Sequence, residues 1–171
     1  MRRRNAEWLR PWDASSPYQP SAQVSYARLL RRLNAAARRG DLLPFAVRYD
    51  GRFVGQLTVA DIRWGSACSA MVGYWVDQAV AGRGVMPTAV ALATDHCLGP
   101  VGLHRVEINI RPENVASRRV VEKLGFREEG LRLRLLHIDG TWRDHLSYAL
   151  TAGEVPEGLL ARWHATRAAP P

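Results

Sequence analysis

The sequence predicts a mixed α/β fold: a mostly antiparallel, twisted sheet with helices on both faces. Three observations carry this expectation. Asp50-Gly51 and Asp139-Gly140 each lie between β-rich runs, the strongest short signal for a hairpin. Between these hairpins a strand, a helix and a strand follow one another, which requires a parallel crossover pair. The helical stretches carry their own stop signals, with glycine just beyond their ends.

From the N-terminus, Asn5 to Arg10 reads as a short turn or helix end, and "PWDASSPYQP" as a proline-rich loop. Ser21 then caps a long helix with Val24, Ala27, Leu30 and Leu33 on its apolar side. Arg38 and Arg39 suit its C-terminus, and Gly40 ends it. "PFAVRYDGRFVGQLTVADI" supplies the first hairpin, and Ser69 to Asp77 the next strand. Gly82 and Gly84 follow, directly before a helix that carries Pro87 in its first turn and runs to about Leu98. A missing N–H costs nothing in that turn. His104 to Ile110 is a strand, and "ENVASRRVVEKLGF" a helix ended by Gly125. "LRLRLLHIDGTWRDHLSYAL" is the second hairpin, "EVPEGLLARW" a short terminal helix and "HATRAAPP" a frayed tail. Residues 1–171 read as one domain, with the C-terminal helix and tail from about 155.

Composition narrows the class. A chain of 171 residues buries roughly 70% of its unfolded surface and needs no disulfide staples. Hydrophobic residues make up 47% and charged residues 23%, ordinary for a globular protein. No apolar run approaches the ~20 residues of a membrane span. The opening "MRRRNAEWLRPWD" lacks the apolar stretch of a secretory signal. Cys68 and Cys97 stand apart, with no Cys/His cluster near either. They read as reduced thiols in a cytoplasmic protein without a metal site. The net charge of +8 is almost all arginine, since Lys123 is the only lysine. It suits an anionic partner, but no nucleic-acid module signature is present.

The glycine stretch "VAGRGVMPTAVALA" admits three readings. One is a tight connection that uses glycine for positive φ. A second, a dinucleotide loop, meets Pro87 in its third place and finds no acidic residue at a suitable strand end ~20 residues on. The third is a diphosphate cradle, in which N–H groups and the helix dipole at a helix mouth meet phosphate and Arg83 adds charge. Downstream stands "HRVEINIRPENVASRRVVEKLGFREEG". Taken together, these segments resemble the GNAT superfamily of acetyl-coenzyme A-dependent N-acetyltransferases. Within it the chain is similar to the RimJ/RimL branch, which acetylates protein N-termini, notably of ribosomal proteins. The resemblance runs from about Asn5 to Leu150 and extends to "WRDHLSYAL" in the last hairpin.

The resemblance implies a splayed parallel strand pair with acetyl-coenzyme A in the gap. The family loop, Q/R-x-x-G-x-G/A, falls on Ala81-Gly82-Arg83-Gly84-Val85-Met86, with Ala81 and Met86 departing from it. Backbone amides hold the diphosphate, so neither change removes the cradle. The backbone of Trp75 and Val76 is expected along the pantetheine arm, with the Val76 amide near the thioester oxygen. Asn114 and Ser117 match the N-x-x-S that faces the arm and its thiol; a helix cap and a first-turn serine are the alternatives for this pair. The usual glutamate base falls on Asn109, which cannot take a proton. Glu107, two residues earlier on the same strand face, is the candidate base or amine-binding carboxylate. A salt bridge with an arginine is its alternative. The usual tyrosine acid falls on Val121, so Ser117 becomes the proton donor to the leaving thiolate. His137 and His145 lie on the hairpin that borders the acceptor site in the family.

Direct attack in a ternary complex follows from the resemblance, with no cysteine nucleophile and no metal. The implied acceptor is an α-amine at a protein N-terminus, possessed by a ribosomal protein in this branch, with ribosome association. An α-amine titrates near 7.7–8.0 against ~10.4 for lysine, so a weak base suffices. A small-molecule amine (a polyamine, aminoglycoside or amino acid) and a catalytically weak acyl-coenzyme A-binding protein remain open alternatives. The family opens with a β-strand before its first helix, whereas Met1 to Asn5 already reads as the helix region, so either that strand is dispensable or this sequence starts later than its relatives. Its absence would leave a sheet edge uncovered, which either destabilises the fold or favours association, as in a homodimer.

Overall fold

In a computed structural model, residues 1–18 and 25–168 are described. A 3-10 turn, Arg2–Asn5, leads into α1 (Ala6–Leu9). There follow α2 (Tyr26–Arg38), β1 (Leu43–Tyr49), β2 (Arg52–Arg63), β3 (Ser69–Val76) and α3 (Val85–Leu98). β4 (Arg105–Ile110), α4 (Val115–Leu124), β5 (Arg127–Ile138), β6 (Thr141–Thr151) and α5 (Leu159–Ala168) complete the order. One six-stranded sheet runs β1-β2-β3-β4-β6-β5, antiparallel except for β3 and β4. The expected mixed sheet is therefore present.

Both hairpins turn as the Asp-Gly signals require. Asp50 and Gly51 have φ 49° and 72°, Asp139 and Gly140 48° and 82°. Two left-handed residues in a row match the twist of the flanking strands. Alternation then sorts the faces. Leu57, Val59, Val72, Val106, Ile108 and Leu150 are buried in one core with Val90 and Cys97 of α3 and Val121 and Leu124 of α4. On the opposite face, the guanidinium of Arg2 lies 5.5 Å from the Trp75 ring, and that of Arg111 lies 5.3 Å from Trp12. The N-terminal segment thus covers the face that α3 and α4 leave free.

Three expectations change at the ends. The helix cap foreseen at Ser21, with Val24 behind it, lies outside the described residues. Ser25 caps α2 through Arg28 N–H at 3.4 Å. The apolar side of α2 is not buried: Ala27 and Leu30 are exposed and Leu33 is half-buried, because this helix meets the sheet mainly at β1. The "frayed tail" is helical through Ala168. Asp95 of α3 explains it, accepting from Leu159 N–H at 2.6 Å and Leu160 N–H at 2.9 Å. Two first-turn donors are thereby satisfied, and α5 is fastened to α3. Among the described residues no strand precedes α1, and β1 is an edge strand.

Candidate active site

The glycine loop forms the mouth of α3. Gly82 and Gly84 both have φ 80°, and Gly84 is the helix N-cap. A side chain in that conformation costs ~1–2 kcal/mol, which is why glycine stands there. Among the described residues, the backbone N–H groups of Gly82, Arg83, Gly84, Val85 and Met86 have no protein acceptor. No side chain caps this helix. Five unpartnered amides at the positive end of a fourteen-residue helix make an anion cradle. The Met86 side chain is buried in the core, so only its amide is available. Arg83 is exposed beside the loop.

The loop is held from both sides. Asp77, buried, pairs with Arg4 and accepts from Ala79 N–H at 3.3 Å, while Asn5 Oδ1 accepts from Gln78 N–H at 3.1 Å. The Arg4 contact is the main reason the Asp77 carboxyl is held below its ordinary pKa. From behind comes α5. Trp163 Nε1 donates to Thr88 Oγ1 at 3.0 Å, and the Arg167 guanidinium lies 5.6 Å from the Trp163 ring. A Cβ on Gly84 would stand 3.6 Å from Arg167 Nη1. Arg167 therefore brings a second guanidinium to the cradle. Sequence reading missed it, because the helix that delivers it depends on Asp95, sixty-odd positions away.

β3 and β4 part beyond the third pair. They match at Ser69–Arg105, Ala70–Val106 and Met71–Glu107 only, while β3 stays with β2 to Val76 and β4 with β6 to Ile110. Asp77 N–H donates to Val54 O at 2.7 Å. Amide directions alternate along a strand, so the N–H groups of Tyr74 and Val76 point away from β2 into the gap. The Trp75 side chain is occupied elsewhere, edge-on to Phe53 at 5.9 Å. Tyr74 and Val76 thus offer their N–H groups to the gap, whereas the Trp75 backbone faces β2 at Gln56.

A cleft of 220 Å³ opens there. Asn114, Ser117, Asn109, Tyr74 and Arg111 line it. Trp12, Ala14, Leu136, Ile138 and His145 add the N-terminal segment and the last hairpin. Asn114 does cap α4, its Oδ1 accepting from Ser117 N–H at 3.1 Å. The cap role and the site role coexist, since Asn114 Nδ2 and Ser117 Oγ have no partner among the described residues. Tyr74 donates to Ser117 O at 3.4 Å, and burial holds its phenol far above the usual range. Asn109 Oδ1 accepts from Ser147 Oγ at 2.7 Å. Val121, at the tyrosine position, is fully buried.

Glu107 shares the Asn109 face but is not brought into the cleft. Its carboxylate accepts from Arg105 Nε at 2.8 Å and Arg132 Nη2 at 3.2 Å. Two guanidinium groups make it an ion-pair member, the alternative weighed for it. Cys97 is buried in the core, where burial pushes its thiol up to about 11. No metal-holding group of three His, Cys, Asp or Glu occurs among the described residues.

An anion cradle beside a splayed parallel pair, with an Asn-x-x-Ser helix mouth across the gap, is the architecture of an acyl-coenzyme A-dependent transferase. A family model for the acetyltransferase (GNAT) domain matches residues 2–127, and the chain belongs to that family. Its reaction is N-acetyl transfer with acetyl-coenzyme A as co-substrate. Among relatives, a Mycobacterium smegmatis RimJ structure in complex with CoA-disulfide is 42% identical, with a TM-score of 0.91, over 97% of this chain and 81% of that one. The [Ribosomal protein uS5]-alanine N-acetyltransferase of Escherichia coli (strain K12) is 27% identical over 90% of this chain and 80% of its own length. A probable N-acetyltransferase of Bacillus subtilis (strain 168), YjcK, is 38% identical over 59% of this chain, and the match spans 56% of that relative's length.

Proposed function

We propose that the protein transfers acetyl from acetyl-coenzyme A to the α-amino group of a protein N-terminus, in the cytoplasm, with a ribosomal protein as acceptor. The observation that carries this reading is the run of unpartnered amides at 82–86 beside a cleft shared by the Asn114–Ser117 helix mouth and the last hairpin. The E. coli relative's named substrate and the M. smegmatis RimJ likeness support the choice of acceptor. So does the lining, which holds Arg111 and no carboxylate among the described residues. A polyamine needs carboxylates for its remaining charges; a peptide N-terminus carries one.

When bound, acetyl-coenzyme A supplies the activated acetyl thioester. The amides of Gly82 to Met86, with Arg83 and Arg167, hold its diphosphate. The β3 edge from Tyr74 to Val76 and Asn114 Nδ2 align the arm, and the Val76 N–H polarises the carbonyl oxygen. Ser117 Oγ gives its proton to the departing sulfur. Asn109, braced by Ser147, positions the incoming amine.

The test joins calorimetry to a substrate panel. Gly84→Glu puts a side chain on a left-handed residue and a negative charge in the cradle, so acetyl-coenzyme A affinity should fall at least ~10-fold, a loss of about 1.4 kcal/mol. Unchanged affinity would remove the loop assignment. With wild type, thiol release should be fastest with peptides beginning with a small residue such as alanine, and mass spectrometry should place the acetyl on the N-terminal nitrogen. Faster turnover of spermidine or free amino acids would sink the acceptor reading.

A further inference from the structure

The cleft needs a proton acceptor, and its lining leaves one group suited to the task. Tyr74 stays protonated, the Arg111 guanidinium has donors and no acceptor, Asn109 has no basic atom, and Glu107 lies outside between two arginines. His145 remains. It is 2% exposed on β6, at the cleft wall. Its Nδ1 lies 3.0 Å from Arg143 O. A carbonyl oxygen only accepts, so Nδ1 carries the hydrogen. In the neutral ring Nε2 then holds a lone pair, and among the described residues nothing donates to it.

We propose that His145 is the catalytic base, its Nε2 taking the proton from the acceptor's ammonium group in the cleft it shares with Ser117. This rests on the acetyl-transfer reading above. The proton balance closes. The ammonium gives one proton to Nε2, and the neutral nitrogen bonds to the acyl carbon as the C–S bond breaks. The second N–H proton goes to Ser117 Oγ, whose own proton ends on the sulfur. The imidazolium then returns its proton to solvent.

The surroundings keep the ring ready. Burial is the main influence and lowers the imidazole pKa. The Arg143 carbonyl opposes this, Arg111 adds to it, and Glu113 and Asp144 oppose it. Arg132 stands opposite on β5. The ring is therefore neutral at pH 7. An α-amine near 7.7–8.0 yields its proton to an imidazole far more readily than a lysine near ~10.4 does.

His145→Asn tests the role, because the Asn amide can keep the Arg143 bond while deleting Nε2. With a peptide beginning in alanine, kcat/KM at pH 7 should fall by at least ~100-fold while acetyl-coenzyme A affinity is unchanged. With the same peptide carrying an aminooxy group in place of its amine, already neutral at pH 7, most of that deficit should vanish. Equal deficits for both nucleophiles, or none for the amine, would overturn the proposal. Nitrogen NMR of the wild type gives an activity-free readout that holds even where the variant fails to fold. The Nδ1–H tautomer is expected, and Nε2–H would overturn it. A wild type that binds acetyl-coenzyme A yet acetylates no amine sinks the function reading itself; a wild type active with an unaffected variant sinks only His145.

Discussion

Glu107 shows how much a single side chain's partners decide. Sequence placed it on the Asn109 face, correctly, because strand alternation is a local property. Its carboxylate, however, is held by Arg105 and Arg132, which reach it from β4 and β5. Glu107→Gln should leave the rate-against-pH curve unmoved and cost no more than about 1 kcal/mol in a denaturant titration. A lost acid limb in that variant would return the base to Glu107. His145 was the reverse case. A histidine in a strand carries no local signal, and only the Arg143 carbonyl and the cleft give it a tautomer and a place.

Elements are joined here by carboxylates. Asp95 ties α3 to α5, so Asp95→Ala should destabilise the fold by ~1–2 kcal/mol, as loss of a helix cap does. It should also weaken acetyl-coenzyme A binding, because Trp163 and Arg167 back the glycine loop. Thermal denaturation and calorimetry on one variant read both, and an unaltered affinity would detach α5 from the cradle. Glu129 joins β4 and β5. Arg105, and then Arg127, lower its carboxyl to about 2 from an ordinary 4.5. A depressed acid stabilises the fold above its unfolded pKa and loses that contribution as pH falls through the folded one. Stability should therefore drop between about pH 4.5 and 2, and Glu129→Gln should flatten that limb. An identical limb in the variant would assign the acid loss to other carboxylates.

At the scale of the whole molecule, the cradle lies by the α3–α5 layer, while the acceptor end of the cleft is walled by the N-terminal segment and last hairpin. On the function proposed above, both substrates meet in that cleft. No thiol lines it: Cys97 is in the core, and Cys68 Sγ contacts Gly102 O at 3.4 Å, away from it. Initial-rate plots should intersect, and mass spectrometry should find no acetylated enzyme. Parallel lines with an acetyl adduct would refute direct transfer.

Local chemistry wrote much of this into the chain. Asp-Gly pairs set both hairpins, Gly125 in a left-handed conformation stopped α4, and Gly82 and Gly84 marked the cradle, because turn and cap preferences act over a few residues. The six strands and the parallel pair followed from their order. What required three dimensions is whatever depends on distant partners: the fastening of α5 by Asp95, the delivery of Arg167 to Gly84, the capture of Glu107 by two arginines, and the lone pair on His145. Burial and charge pairing couple residues remote in sequence, and no pattern along one strand or helix encodes which of them will meet.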